Sequence, residues 1–126
     1  MRRCIPTLAL LLLAAGCSKA PSFPPGQQSV PASRDGESIF QTRCFVCHGR
    51  DGKGDGPAAA GLGATVRDLT NPGWQESISN ETIRSVIRNG ARAVGGSAAM
   101  APNPDLSDEQ IRSLVQYIRQ LRAQTP

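Results

Sequence analysis

The stretch Cys44-Phe45-Val46-Cys47-His48 carries the most specific signal in this sequence of 126 residues. It holds the chain's one histidine and two of its four cysteines. Two cysteines three positions apart, followed at once by a histidine, match the C-x-x-C-H pattern of c-type haem attachment. In that pattern the two thiols add to the vinyl groups of one haem, and the histidine binds the iron. The motif therefore predicts one covalent haem c on Cys44 and Cys47, with His48 as an axial ligand.

Three other kinds of site also use a C-x-x-C pair. A thioredoxin-like redox pair belongs to a βαβ setting, and no stretch of this sequence alternates with the period of a strand. A structural zinc site needs four ligands, whereas Cys44, Cys47 and His48 provide three. The remaining cysteines, Cys4 and Cys17, lie in the N-terminal export segment. A plain disulfide is compatible with the spacing but leaves the adjacent histidine without a role.

Met100 is the candidate for the second axial ligand of the iron. The only other methionine is Met1, which leaves with the export segment. Met100 lies in a loop of small residues, 95–102, which lets the backbone bring the thioether close to a ring. Packing in a core is the commoner fate of methionine, but this loop has no helical or strand periodicity. A His/Met pair raises the reduction potential of haem iron and fills both axial positions, which suits electron transfer.

The N-terminus has the features of a bacterial export signal. Arg2 and Arg3 precede the apolar run Leu8–Leu13, which is too short for a permanent transmembrane helix. The following residues, Leu13 to Cys17, resemble a lipobox, which implies cleavage before Cys17 and a lipid on its thiol. An ordinary secretory signal is the alternative. We expect residues 1–16 to be a lipoprotein signal peptide and the mature protein to be anchored on the periplasmic side of a bacterial membrane.

The segment after the predicted lipidation site is a linker. Residues 18–33 read SKAPSFPPGQQSVPAS, a composition rich in proline and serine with no apolar periodicity. Fully extended, such a segment reaches about 50 Å. We therefore expect residues 17–33 to tether a single folded domain, residues 34–126, to the membrane.

The predicted domain is all-α. Ser33 or Asp35 is placed to cap a first helix that runs to about Arg43. A second helix spans Asn80 to Asn89 and stops at Gly90. Between these two helices lies a glycine-rich loop, residues 49–63.

The third helix has the clearest pattern. Ser107 and Gln110 fit a capping box, in which each side chain binds the backbone N–H at the other's position. The apolar residues that follow repeat at helical spacing and predict a buried face: Ile111, Leu114, Val115, Ile118 and Leu121.

Together these features resemble the class I cytochromes c, the small bacterial monohaem kind. The resemblance rests on C-x-x-C-H-G-x-x-G-x-G-D-G-P from Cys44 to Pro57, and on Gly36, Phe40 and Tyr117. It implies a small cytochrome c fold in which three or more helices and long loops wrap around one haem, and in which these last three residues pack the terminal helices together. It also implies that the carbonyl of Pro57 accepts a hydrogen bond from the ring of His48.

The resemblance implies an electron carrier rather than an enzyme. Its partners would be redox proteins, with membrane oxidoreductases expected from the tether. A peroxidase-like haem enzyme or a haem-based sensor with an open sixth iron site is the alternative, although no second histidine exists for a distal site. The net charge of +4 and the pI of about 9.2 come without a Lys/Arg block, so nucleic acid is not an expected partner.

Several cationic and aromatic residues allow more than one role. Arg84, Arg88 and Arg92 lie four apart, as in a solvated helix face, but the same spacing suits a docking patch for an acidic partner or contacts to the haem propionates. Arg67 and Trp74 are further candidates to line the propionates, with core packing an equal alternative for Trp74.

Overall fold

The computed structural model describes residues 32–122. The predicted signal peptide and nearly all of the predicted linker, including Cys17, lie outside the described residues. Within 32–122 the secondary structure consists of helices and turns, without strands. The prediction of an all-α fold is therefore confirmed.

The C-x-x-C-H motif ends one continuous helical segment. Helix α1 spans Ala32–Ile39, a π-helical turn spans Phe40–Cys44, and α2 spans Phe45–His48. Because α1 already begins at Ala32, Ser33 and Asp35 lie inside the helix, and the prediction that one of them caps it is wrong. The helix also continues past Arg43, to the histidine of the motif.

The π-helical turn widens the backbone just before the motif. In a π-helix the regular backbone hydrogen bonds are displaced by one residue. The hydroxyl of Thr42 donates to the carbonyl oxygens of Ser38 at 2.9 Å and Ile39 at 3.2 Å. This side chain thus binds carbonyl groups in the last turn of α1 as the helix widens.

Three further α-helices follow. Helix α3 spans Pro72–Ser77, α4 spans Asn80–Asn89 and α5 spans Asp108–Leu121, with short 3-10 helices at Ala59–Leu62 and Ala91–Val94. Sequence patterning missed α3, which is too short to show a periodicity. Its start is nevertheless signalled, since the side chain of Asn71 caps the amide of Trp74 and Pro72 occupies the first turn.

The two predicted later helices are confirmed, α4 with both of its predicted ends and α5 with its predicted start. Helix α4 buries Ile83 and Ile87 and stops at Gly90, which has a positive φ of 80°. Helix α5 begins with the predicted capping box of Ser107 and Gln110. All five residues of its predicted apolar face are buried: Ile111, Leu114, Val115, Ile118 and Leu121.

The core is organised by the crossing of α1 and α5. Phe40 is fully buried, and its ring lies 5.2 Å from that of Tyr117, centroid to centroid. At Gly36 the two backbones come so close that an added Cβ would lie 2.1 Å from the carbonyl oxygen of Ser113. The predicted packing of the terminal helices through these residues is thus confirmed.

We predict that Gly36→Ala destabilises the haem-loaded protein. The new methyl group would overlap the backbone of α5, which cannot move aside as a flexible side chain can. Overpacking of this kind costs roughly 1–3 kcal/mol in free energy of unfolding. A guanidinium titration monitored by circular dichroism measures the change in the free energy of unfolding.

Gly61→Ala is the matched control, because an added Cβ at Gly61 meets no atom within 4 Å. That variant should keep the stability of the wild-type chain or gain a few tenths of a kcal/mol. Equal stabilities of the two variants would contradict the role assigned to the crossing.

Candidate functional site

A cleft of about 390 Å³ opens between the C-x-x-C-H motif and the loop that precedes α5. Its lining is largely apolar or small, as in many cofactor sites. Cys44, Cys47 and His48 line it, and so does Met100 from the later loop. The structure therefore brings together all four residues that the sequence predicts to hold or ligate haem.

The ring of His48 is held by a backbone carbonyl. Its Nδ1 lies 3.3 Å from the carbonyl oxygen of Arg67. Since a carbonyl oxygen only accepts, Nδ1 must carry the proton, which leaves the lone pair on Nε2. The sequence-based candidate for this acceptor, Pro57, is exposed and is not the partner of His48 in the described hydrogen bonds. The acceptor comes instead from the chain ten residues further on.

Burial keeps the imidazole of His48 neutral. Desolvation lowers the pKa of His48 below its usual value, and the hydrogen bond to Arg67 opposes this only in part. A metal-binding histidine must offer an unprotonated nitrogen. At neutral pH the side chain is therefore ready to bind iron without first losing a proton.

The two cysteine side chains are half-buried and line the cleft wall. Burial raises the pKa of Cys44 to about 11, against the opposing charge of Arg43. A redox-active C-x-x-C pair needs the reverse, a lowered pKa that makes a thiolate. The redox-pair alternative thus loses support.

The glycine-rich loop closes the end of the motif helix. Four backbone N–H groups of this loop donate to the last carbonyls of α2: Gly49 to Phe45 at 2.9 Å, Ala58 to Val46 at 2.8 Å, Gly56 to Cys47 at 3.1 Å and Gly54 to His48 at 2.7 Å. These carbonyls would otherwise have no partner at the helix end. At Gly56 a Cβ would lie 2.4 Å from the carbonyl oxygen of Phe45. The loop can therefore fold back on the motif only with glycine at this position.

The loop that carries Met100 is anchored on the end of α4. The backbone N–H of Ala91 donates to the carbonyl of Met100 at 3.2 Å. The side chain of Asn103 donates to the carbonyl of Ile87 at 3.0 Å and lines the cleft itself. Sequence reasoning missed Asn103. The one sequence feature that could have indicated it is an amide side chain directly after Pro102, in a loop otherwise made of small residues.

An exposed ion pair joins the two sides of the cleft. Arg43, directly before the first motif cysteine, binds Asp105 at 2.6 Å. Its hydrogen bond is the main reason why the pKa of Asp105 lies below its usual value. Both side chains are about half exposed, so the pair contributes little to stability. It links the motif helix to the segment that follows Met100.

The structure separates the other candidate residues. Arg67 lines the cleft, and its role toward the propionates stays a prediction. Trp74 packs against the hydrophobic core and is absent from the cleft lining, which supports its alternative role. Arg84 and Arg88 lie outside this cleft, in a separate one between α4 and α5.

These residues fit a covalently bound haem. The cleft offers two adjacent thiols for attachment, a neutral imidazole with a free Nε2 and a thioether from a separate segment. The small residues Ala64, Ala91 and Ala99 line the remaining wall and leave space for a large flat ring.

The fold and the cleft define a protein of the cytochrome c type, and the comparison with protein families agrees. A family model described as cytochrome c matches residues 33–122. The chain belongs to this family, and its cofactor is covalently attached haem c.

Relatives of this chain include subunits of cbb3-type cytochrome c oxidases. The chain is 34% identical over 91 residues to subunit FixP of Azorhizobium caulinodans, a match that covers 72% of this chain and 28% of the relative. With subunit CcoP of Rhodobacter capsulatus it shares 34% identity over 89 residues, covering 68% of this chain and 28% of that one. The chain thus matches about a quarter of the length of these relatives.

A solved structure of a c-type cytochrome shows the same fold. It is 30% identical to this chain and has a TM-score of 0.57, covering 70% of this chain and 98% of that one. In the range 32–122, no helix has the length and apolar character needed to cross a membrane.

We predict that replacing both motif cysteines, Cys44→Ser with Cys47→Ser, abolishes covalent haem, because no thiol remains at the cleft wall. Haem-dependent peroxidase staining of a denaturing gel reports the covalent bond directly. Cys17→Ser is the matched control and should retain full staining. Persistent staining of the double variant would show that the haem is attached elsewhere.

Proposed function

We propose that this protein is a monohaem electron carrier with His48 and Met100 as the axial ligands of its iron. The observation that carries the proposal is that both side chains line one cleft, although they lie about 50 residues apart in the sequence. The Arg67 carbonyl leaves Nε2 of His48 free to ligate, and the anchored loop brings Met100 to the same space.

Each part of the chain has a defined task in this function. The bound haem supplies one-electron cycling between Fe(III) and Fe(II). Cys44 and Cys47 hold it to the helix, while the apolar walls exclude water. A thioether ligand favours the reduced iron and raises the reduction potential. With both axial positions filled by protein ligands, the site favours electron exchange over substrate binding.

We further propose that the mature protein is a lipoprotein on the periplasmic side of a bacterial membrane, anchored through Cys17. The support is the lipobox-like segment and the proline- and serine-rich linker that follows it. A tether of this kind raises the effective concentration of the domain near membrane proteins without adding contacts.

The partners we propose are membrane oxidoreductases that donate or accept electrons. The support is that FixP and CcoP are named as subunits of cbb3-type oxidases, and that this chain matches one segment of each. Redox encounters bury small interfaces, so the contact is expected to be transient.

We predict that Met100→Ala keeps covalent haem but lowers the reduction potential, because the thioether no longer stabilises the reduced state. The weak red absorption band of oxidised Met-ligated haem should disappear, and the reduced protein should bind carbon monoxide. Protein-film voltammetry and visible spectroscopy measure these changes.

Leu62→Ala provides the control, since it shortens another cleft-lining side chain that cannot ligate iron. It should keep the red band. If Met100→Ala left the potential unchanged, Met100 would not be the ligand. If the wild-type protein lacked the red band and bound carbon monoxide, the enzyme or sensor function would replace electron transfer.

We predict that Cys17→Ser moves the protein from the membrane to the soluble periplasmic fraction, because the lipid anchor is lost. Fractionation followed by haem staining measures the distribution. Cys4→Ser, which changes a cysteine inside the predicted signal peptide, should leave the protein in the membrane. Retention of Cys17→Ser in membranes after a high-salt wash would refute the lipid anchor.

A further inference from the structure

A second cleft, of about 370 Å³, lies between α4 and α5. It shares no lining residue with the haem cleft. Three arginines line it: Arg84 and Arg88, one turn apart on α4, and Arg112 on α5. We call this cavity the arginine cleft. None of the residues that hold or ligate the haem lines this cleft.

The positive charge of the arginine cleft is only partly neutralised. Asp108 is the one carboxylate residue among those lining it, and it is paired with Arg88. The backbone carbonyl of Leu106 accepts a second bond from Arg88, at 3.2 Å. This guanidinium is therefore held in a fixed orientation, bridging α4 to the start of α5.

The other two arginines are available to a ligand. Arg84 reaches Glu81 only at 3.4 Å, and that glutamate is 77% exposed and lies outside the cleft lining. Arg112 makes no ion pair with any residue between 32 and 122. A weak surface pair of this kind is easily exchanged for a better acceptor.

The chemistry of this cleft matches a phosphate group. Guanidinium groups bind phosphate oxygens through pairs of parallel hydrogen bonds, which are stronger than neutral ones. Ser85 and Asn89 add neutral donors on the same wall. We propose that the arginine cleft binds the phosphate group of an anionic ligand, through Arg84 and Arg112, with Arg88 held in place by Asp108.

Two sources can supply that phosphate: a soluble phosphate or the headgroup of an anionic phospholipid. Binding to a lipid headgroup would orient a domain that is tethered to the membrane. Only this consequence rests on the proposed lipid anchor. Binding itself depends only on the cleft. Its outcome is therefore independent of whether the haem carries electrons or Cys17 carries lipid.

The test uses the haem-loaded full chain with Cys17→Ser, so that no acyl chain contributes to binding. Isothermal titration calorimetry at constant ionic strength measures binding of inorganic phosphate, with chloride as reference. Flotation with vesicles of phosphatidylcholine, with and without phosphatidylglycerol, measures binding to a lipid headgroup. Each measurement is repeated on Arg112→Gln, Arg112→Lys and Arg122→Gln.

Arg122→Gln is the matched control. It removes the same charge at the C-terminal end of the same helix, about 15 Å from Arg112 along the axis. Arg122 is paired with Glu76 at 2.6 Å and lies outside the arginine cleft. We expect Arg112→Gln to weaken binding at least about tenfold, the effect of a lost hydrogen bond to a charged group, and Arg122→Gln to change it little. Arg112→Lys should also weaken binding, because lysine keeps the charge but loses the planar fork.

The outcomes distinguish a soluble phosphate from a lipid headgroup, and they also include results that would overturn the proposal. Phosphate binding that depends on Arg112 supports a soluble ligand. Vesicle binding that requires phosphatidylglycerol and depends on Arg112 supports a lipid headgroup. Equal loss in Arg112→Gln and Arg122→Gln would show non-specific attraction and overturn the proposal, as would no binding of either probe. Preserved spectra of the variants would show that their haem site is intact.

Discussion

The contact between α1 and α5 at Gly36 is the constraint on which the haem cleft depends. A side chain at this position would overlap the backbone of Ser113, so the helices reach their observed separation only with glycine. Phe40, one turn beyond Gly36 and the first residue of the π-helical turn, then packs on Tyr117. Because the helical segment continues without interruption to His48, the crossing also determines where the C-x-x-C-H motif lies and which way its cysteines and histidine face the cleft.

The cleft is shaped more by backbone hydrogen bonds than by large side chains. Loop amides cap the carbonyls of the motif helix, the carbonyl of Arg67 orients His48, and the amide of Ala91 holds the loop that bears Met100. Such bonds place the ligands while leaving the space between them open. This arrangement explains how a chain with only 4% aromatic residues builds a domain: a bound ring supplies apolar surface that the side chains do not.

The arginine cleft is separate from the redox site. The arginine cleft lies between α4 and α5, whereas the haem cleft lies between the motif helix and the loop before α5. Helix α5 buries its inner face in the core and carries Arg112 on its outer face. The two clefts share no lining residue, so their ligands do not compete for the same side chains.

Short-range chemistry could be predicted from the sequence alone. The motif spacing identified Cys44, Cys47 and His48, and helical periodicity with local capping signals identified α4 and α5, because these features depend on residues within a few positions of one another. Only the tertiary structure placed the Arg67 carbonyl against His48 and Asn103 on the end of α4. A backbone carbonyl has no residue-specific signature, and Pro57 was chosen by resemblance. Which carbonyl reaches a ring, and which arginines meet across two helices, is decided by how distant segments pack.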